Sequence, residues 1–172
     1  MMITISESGM TFGPFPDDHC FEIEKCPTYK RIKSGVKIAE FVWLRDDFNP
    51  PQIWIVEAKS STPQPELPEK FQEFINEIRD KLINALSLMF STCLNRPGSA
   101  YNDIPDPFRH LALSTLDARL ILVINGHKKE WLDPLKDALS KALHATVKVW
   151  GLAPSAVIVL NDDLARRHNL IK

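Results

Sequence analysis

Three short apolar runs, rich in β-branched residues, set the strongest limits on this chain: Ile53-Trp54-Ile55-Val56, Leu120-Ile121-Leu122-Val123-Ile124 and Ala156-Val157-Ile158-Val159-Leu160. A strand with one wet face alternates apolar and polar residues. These runs have no wet face, so each belongs inside a sheet covered on both sides. Segments of helical period separate them. Phe71, Phe74, Ile75, Ile78, Leu82, Leu86 and Met89 recur every three or four residues from Glu69 until Asn95-Arg96-Pro97-Gly98, and Trp131, Leu135, Leu139 and Leu143 share one face of a helix over 129–147. Strands interleaved with helices predict an α/β fold with a mixed central sheet flanked by helices.

The prolines divide the rest. There are 13 against only 6 glycines, clustered at 14 and 16, 50 and 51, 63–68 and 97–107. Val36 to Arg45 and Ile53 to Lys59 are strand-like and enclose Asp46-Asp47-Phe48-Asn49-Pro50-Pro51-Gln52, a run of turn formers, so the pair is expected to be an antiparallel hairpin. Ser60 to Pro68 reads as a stiff connector, and Phe108 to Leu116 as a short helix. Phe21 and Ile23, alternating with Glu22 and Glu24, suggest a short strand. Asn161 or Asp162 is expected to cap a last helix running to Asn169. Phe12-Gly13-Pro14-Phe15-Pro16 reads as a loop or an extended arm over 1–18, and the 172 residues as one domain.

Charge and cysteine content narrow the function classes. Lys and Arg total 21 against 22 Asp and Glu, a net charge of −1, which argues against a bulk-cationic, sequence-blind nucleic-acid binder but permits a local basic patch. No apolar run is long enough for a membrane span and no signal peptide is read, so no membrane partner is expected. Cys20, Cys26 and Cys93 form no CxxC pair, and an odd count fits a reducing cytoplasm better than a disulfide-built secreted fold. Their spacing with His19 does not suit zinc. Glycine-rich phosphate loops, serine nucleophile elbows and HExxH sequences are absent from the sequence.

The chemistry concentrates where the apolar strand Ile53–Val56 ends in Glu57-Ala58-Lys59. Glu57 and Lys59 share a face, and charges at such a place are costly unless paired or bound to an ion. A hairpin turning near Asn49 sets Glu57 across from about Phe41, with Glu40 within a residue of direct opposition, about 5 Å away in Cβ terms. Asp46 and Asp47 fall at the far end, as turn residues. Two carboxylates that close repel, and a divalent cation with a preference for oxygen ligands, Mg²⁺ or Mn²⁺, relieves the conflict. Lys59 could then orient water or stabilise negative charge in a transition state, which fits phosphodiester hydrolysis. The same residues also fit a cross-strand ion pair at a sheet end, with Arg45 or Glu40 as neighbours.

Ile55-Val56-Glu57-Ala58-Lys59-Ser60-Ser61, after a hairpin strand bearing Glu40, resembles the PD-(D/E)XK nuclease superfamily. The resemblance implies a restriction-endonuclease-like core with an antiparallel hairpin, Glu40 and Glu57 as metal ligands, and Lys59 as the catalytic lysine. Ala39-Glu40 stands where the family has Pro-Asp, so the first acid is one methylene longer. The acid that many members carry on an N-terminal helix has Glu22 or Glu24 as its candidate here. The expected function is a Mg²⁺- or Mn²⁺-dependent nuclease, with DNA the expected substrate ahead of RNA. Its small size and weak charge favour a homodimer or a larger assembly. The competing class is a catalytically inactive scaffold of the same fold, acting as an interaction subunit. The clusters His127-Lys128-Lys129, Arg166-Arg167-His168 with Lys172, and Lys30, Arg31 and Lys33 are the basic groups available. Trp43 and Trp54, on the face opposite the carboxylates, are expected to pack in the core.

Overall fold

Burial on both faces is what the apolar runs demand, and the computed structural model, which describes residues 1–96 and 100–172, supplies it with a five-stranded mixed sheet. The elements in chain order are β1 (Met2–Glu7), β2 (Met10–Pro16), β3 (Cys20–Phe21), α1 (Pro27–Ile32), β4 (Phe41–Arg45), β5 (Gln52–Lys59), α2 (Pro68–Cys93), α3 (Asp106–Arg109), β6 (Asp117–Ile124), α4 (Leu132–Val149), β7 (Val157–Asn161) and α5 (Asp162–Arg167). Strands β3 to β7 lie side by side in sequence order. β3, β4 and β5 run antiparallel as a meander, and β6 and β7 are parallel to β5, joined through α2 and α4. The expected mixed α/β architecture is therefore present.

One face of the sheet carries Ile53 and Ile55, Leu120, Leu122 and Ile124, and Val157 and Val159. They pack under the stripe Ile75, Ile78, Leu82, Leu86 and Met89 of α2 and under Leu135, Leu139 and Leu143 of α4. Asn95, at a φ of +55°, ends α2, with the Arg96 N–H returning to the Ser91 carbonyl at 2.7 Å. The helix thus stops where the sequence says, although Pro97 and Gly98 of that stop signal lie outside the described residues. No helix among the described residues is long and apolar enough to cross a membrane.

The other face corrects the reading of residues 1–18. They form no free arm: β1 and β2 pair antiparallel and lie across Phe41, Trp54, Val56 and Ala58 as a second core. Ser8 and Gly9, at φ +52° and +76°, make the two-residue turn between Glu7 and Met10, a conformation that suits the twist of a tight hairpin. Phe41 sits 5.2 Å from the Phe12 ring and 5.7 Å from Phe15, and Trp43 lies 4.6 Å from Phe15 and 5.6 Å from Trp54. Both tryptophans pack as expected.

Smaller differences have local causes. Val36 to Glu40 do not join the ladder, and β4 begins at Phe41. Ile23 turns into a short 3-10 segment, leaving β3 two residues long. The short helix read over Phe108 to Leu116 is instead Asp106–Arg109, started by the Pro105 and Pro107 backbone geometry. Asn161 caps α5 as anticipated, its side-chain oxygen accepting the Leu164 N–H at 3.0 Å.

Phe41→Ala removes a fully buried ring between the sheet and the hairpin, and is expected to lower the unfolding free energy by about 3–5 kcal/mol in a urea titration. Limited proteolysis of the variant should cut first within residues 1–18.

Candidate functional site

The hairpin register decides which acids meet. Phe41 pairs with Val56 as the last rung of the β4–β5 ladder, and Glu40, just before it, donates its N–H to the Val56 carbonyl at 3.0 Å, which keeps it beside Glu57 at that end of the hairpin. Glu40 thus stands within a residue of Glu57, as expected, although the ladder itself stops at Phe41. Odd residues of β5 face α2, so Glu57 and Lys59 project under that helix, at the end of the strand.

Glu57 is fully buried, and two ammonium groups come to it. Lys81 of α2 donates to Oε1 at 2.8 Å, and Lys59 stands 3.3 Å from the same oxygen. Lys59 also donates to Glu77 Oε1 at 3.0 Å, with Lys37 3.7 Å from the other Glu77 oxygen. Lys81 reaches on to Glu40 at 3.9 Å. The sequence reading missed Lys81 and Glu77. The available signal was their i,i+4 spacing on the flank of the Ile78 and Leu82 stripe. Arg45, considered as a neighbour, is instead at the far end of the hairpin, bidentate to Asp47 and 4.4 and 4.6 Å from the centroids of Trp43 and Trp54.

A further acidic group meets at Glu40. Carboxylate oxygens of Glu7, at the end of β1, Glu24, in the 3-10 turn Ile23–Lys25, and Glu40 lie within 4.8 Å of one another. Of the two candidates, Glu24 is the one that lies beside Glu40, while Glu22 is hydrogen-bonded to Lys25. Glu7 was not anticipated, because its place depends on a hairpin that the sequence reading left as an arm. Glu57 is outside this three-residue set, although its charge acts on Glu40.

These contacts shift the proton affinities in a consistent way. Burial, a hydrogen bond with Glu24 and the charge of Glu57 push the Glu40 carboxyl up to about 8. Burial raises Glu57 as well, against the opposing pull of Lys81 and Lys59. Glu77 is lowered by its hydrogen bond to Lys59. Burial alone would depress Lys81, but Glu57 and Glu40 outweigh it, and its affinity for the proton rises.

Two observations bear on whether a cation fits. Glu57 Oε2 is buried with no hydrogen-bond partner among the described residues. Glu7, Glu24, Glu40, Glu57 and Glu77, fully ionised, exceed Lys37, Lys59 and Lys81 by two negative charges. An all-oxygen donor set with that excess suits a hard divalent ion. Glu7, Glu24 and Glu40 lie close enough together to share one, with Glu57 beyond that set.

The basic clusters do not converge here. Arg166 is bound to Asp162 and Asp163, Arg31 lies 4.0 Å from Asp103, and His127 and Lys128 gather round Trp131. The connector after Lys59 lines a separate cleft with residues 125–135. No family model, no curated protein and no solved structure matches the chain.

Lys81→Ala leaves buried Glu57 with one ammonium group, and is expected to cost roughly 3 kcal/mol in chemical denaturation. The loss should shrink in a Glu57→Gln background, where no buried charge is stranded. In EDTA, wild-type stability should fall as pH rises from about 4.5 through about 8, because the unfolded Glu40 carboxyl ionises first while the folded one keeps its proton. Glu40→Gln should flatten that dependence. Its melting temperature should exceed the wild type's at pH 9 by a few degrees, at about 2–4 °C per kcal/mol, and match it near pH 4.

Proposed function

We propose that the chain is a divalent-metal-dependent nuclease on a restriction-endonuclease-like core, hydrolysing phosphodiester bonds in nucleic acid, with DNA the first candidate. The observation that carries this reading is the meeting of Glu40 and Glu57 at one end of the hairpin, both within reach of Lys81, with Lys59 two residues beyond Glu57 on the same face. The antiparallel meander β3–β4–β5, followed by α2 and a parallel β6, supports it.

A Mg²⁺ or Mn²⁺ ion held by Glu40 and Glu57, with Glu24 or Glu7 beside them, would supply Lewis acidity to a phosphoryl oxygen and acidify water. Lys81 donates to Glu57 and favours its charged form against the burial that opposes it. Lys59 brings an ammonium group to the same edge of the sheet, where it stabilises the extra negative charge of the phosphoryl transition state. Glu77, more than a third exposed, orients Lys59 from α2, and Lys59 is free to exchange that carboxylate for a phosphate oxygen. Cutting both strands of a duplex needs two such sites, so a homodimer or larger assembly belongs to this proposal.

One observation favours a second reading, a catalytically inactive scaffold that serves as an interaction subunit. Lys59 is already engaged by two carboxylates and Lys81 spans Glu57 and Glu40, so both ammonium groups are paired without an ion.

Cleavage of supercoiled plasmid, single-stranded DNA, branched DNA and structured RNA with Mn²⁺ or Mg²⁺ separates the two. Activity is expected to fall at least about a hundredfold in Lys59→Ala and in Glu57→Gln, each checked for folding. Mn²⁺ should raise the melting temperature of the wild type and not of Glu40→Gln. Absence of both cleavage and the metal-induced shift would overturn the metal site and favour the scaffold reading. Cleavage surviving both substitutions would place the chemistry elsewhere.

A further inference from the structure

The chain leaves the Lys59 end of β5 through a cleft of about 650 Å³, opening at the carboxyl ends of the parallel strands β5 and β6. One wall is the connector, contributing Ser60, Thr62, Gln64 and Glu66. The other carries Glu130 and Trp131. The two walls are tied to the candidate site, since the Asn125 N–H donates to the Lys59 carbonyl at 2.9 Å.

Trp131 is the unusual member. Its residue is 53% exposed, at the start of a helix whose leucines Leu132, Leu135, Leu139 and Leu143 are buried. The Lys128 ammonium lies 4.6 Å from its ring centroid, and the His127 ring meets it edge-on at 5.6 Å. A large indole kept in water, with a cation on the ring, is the arrangement on which unpaired bases stack. The cleft itself is not a phosphate site, because Glu66 and Glu130 repel an anion. What they and Gln64 suit is a planar neutral group with N–H donors at its edge. A nucleobase has both the flat face and the donors, and in a duplex that face is hidden in the stack.

We propose that this cleft binds an unpaired nucleobase on Trp131, so that the substrate presented to Glu40, Glu57 and Lys59 is single-stranded or contains a flipped or unpaired nucleotide. The proposal rests on the nuclease reading and names its substrate class. Lys128 then neutralises the phosphate next to the stacked base, outside the acidic wall.

The test is anisotropy of fluorescein-labelled oligothymidylate and of a duplex of equal length, with the full chain in EDTA, alongside Mn²⁺-dependent cleavage of both. Trp131 is exposed, so Trp131→Ala should keep the wild-type melting temperature. It is expected to weaken oligothymidylate binding about tenfold and duplex binding less than twofold, while Trp131→Phe restores most of the loss. Wild-type affinity for oligothymidylate in Trp131→Ala, or equal losses on single strand and duplex, overturns the base site while leaving a cleaving enzyme intact. Failure of the wild type to bind or cleave either polymer overturns this proposal and the nuclease reading together.

Discussion

Glu57 is enclosed where β5 meets α2, and a carboxylate so placed is tolerable only if cations arrive with it. The apolar stripe of α2 repeats at nearly one turn, so Ile78, Leu82 and Leu86 alone would tolerate sliding the helix along the sheet by a turn, about 5.4 Å. The Lys81–Glu57 contact at 2.8 Å does not tolerate it. A slip would strand both charges, at a cost far above that of remaking apolar contacts. The ion pair therefore fixes the position of the helix, and the Glu77–Lys59 contact one turn away follows from it. The site and the packing of the largest helix are in this sense one structure.

The acidic end of the sheet is also where the two covering layers meet. Glu57 arrives from the helical side, Glu7 from the hairpin side, and Glu40 lies between them at the start of β4. Ser8 Oγ, in the hairpin turn, donates to the Ala58 carbonyl between Glu57 and Lys59, and so ties the turn to the edge that carries the candidate chemistry. A carboxyl group held to about 8 at that junction makes the balance of charge there sensitive to pH near neutrality.

Sequence patterns carried the elements whose physics is local. Ile53–Val56 and Leu120–Ile124 lack a wet face, and α2 has both a periodic stripe and an Asn95 stop, so strands and helix fall where expected. The hairpin β1–β2 was illegible because Pro14 and Pro16 mask a strand that is completed by distant aromatic contacts. Only the Ser8-Gly9 pair announced its turn. Of the site, Glu57 and Lys59 were legible from the break in an apolar run, and Glu40 from hairpin arithmetic correct to one residue. Lys81, Glu77 and Glu7 were not, since a charged residue on a helix flank or a hairpin end looks like ordinary solvated surface until its partner is known.

The hairpin is closed by the far end of the chain. Phe12 bridges Ile171, the Gly13 N–H donates to the Leu170 carbonyl at 2.8 Å, and the Lys172 N–H donates to the Thr11 carbonyl at 3.3 Å. Contacts spanning nearly the whole sequence carry a large loop-closure entropy and form late. During synthesis, the helical face of the sheet can assemble as α2 and α4 emerge, and the hairpin is already made when Phe41 and Trp54 appear, but its β2 edge must wait until residues 170–172 leave the ribosome. A nascent chain therefore passes through an interval in which that edge is unpaired and open to chaperones.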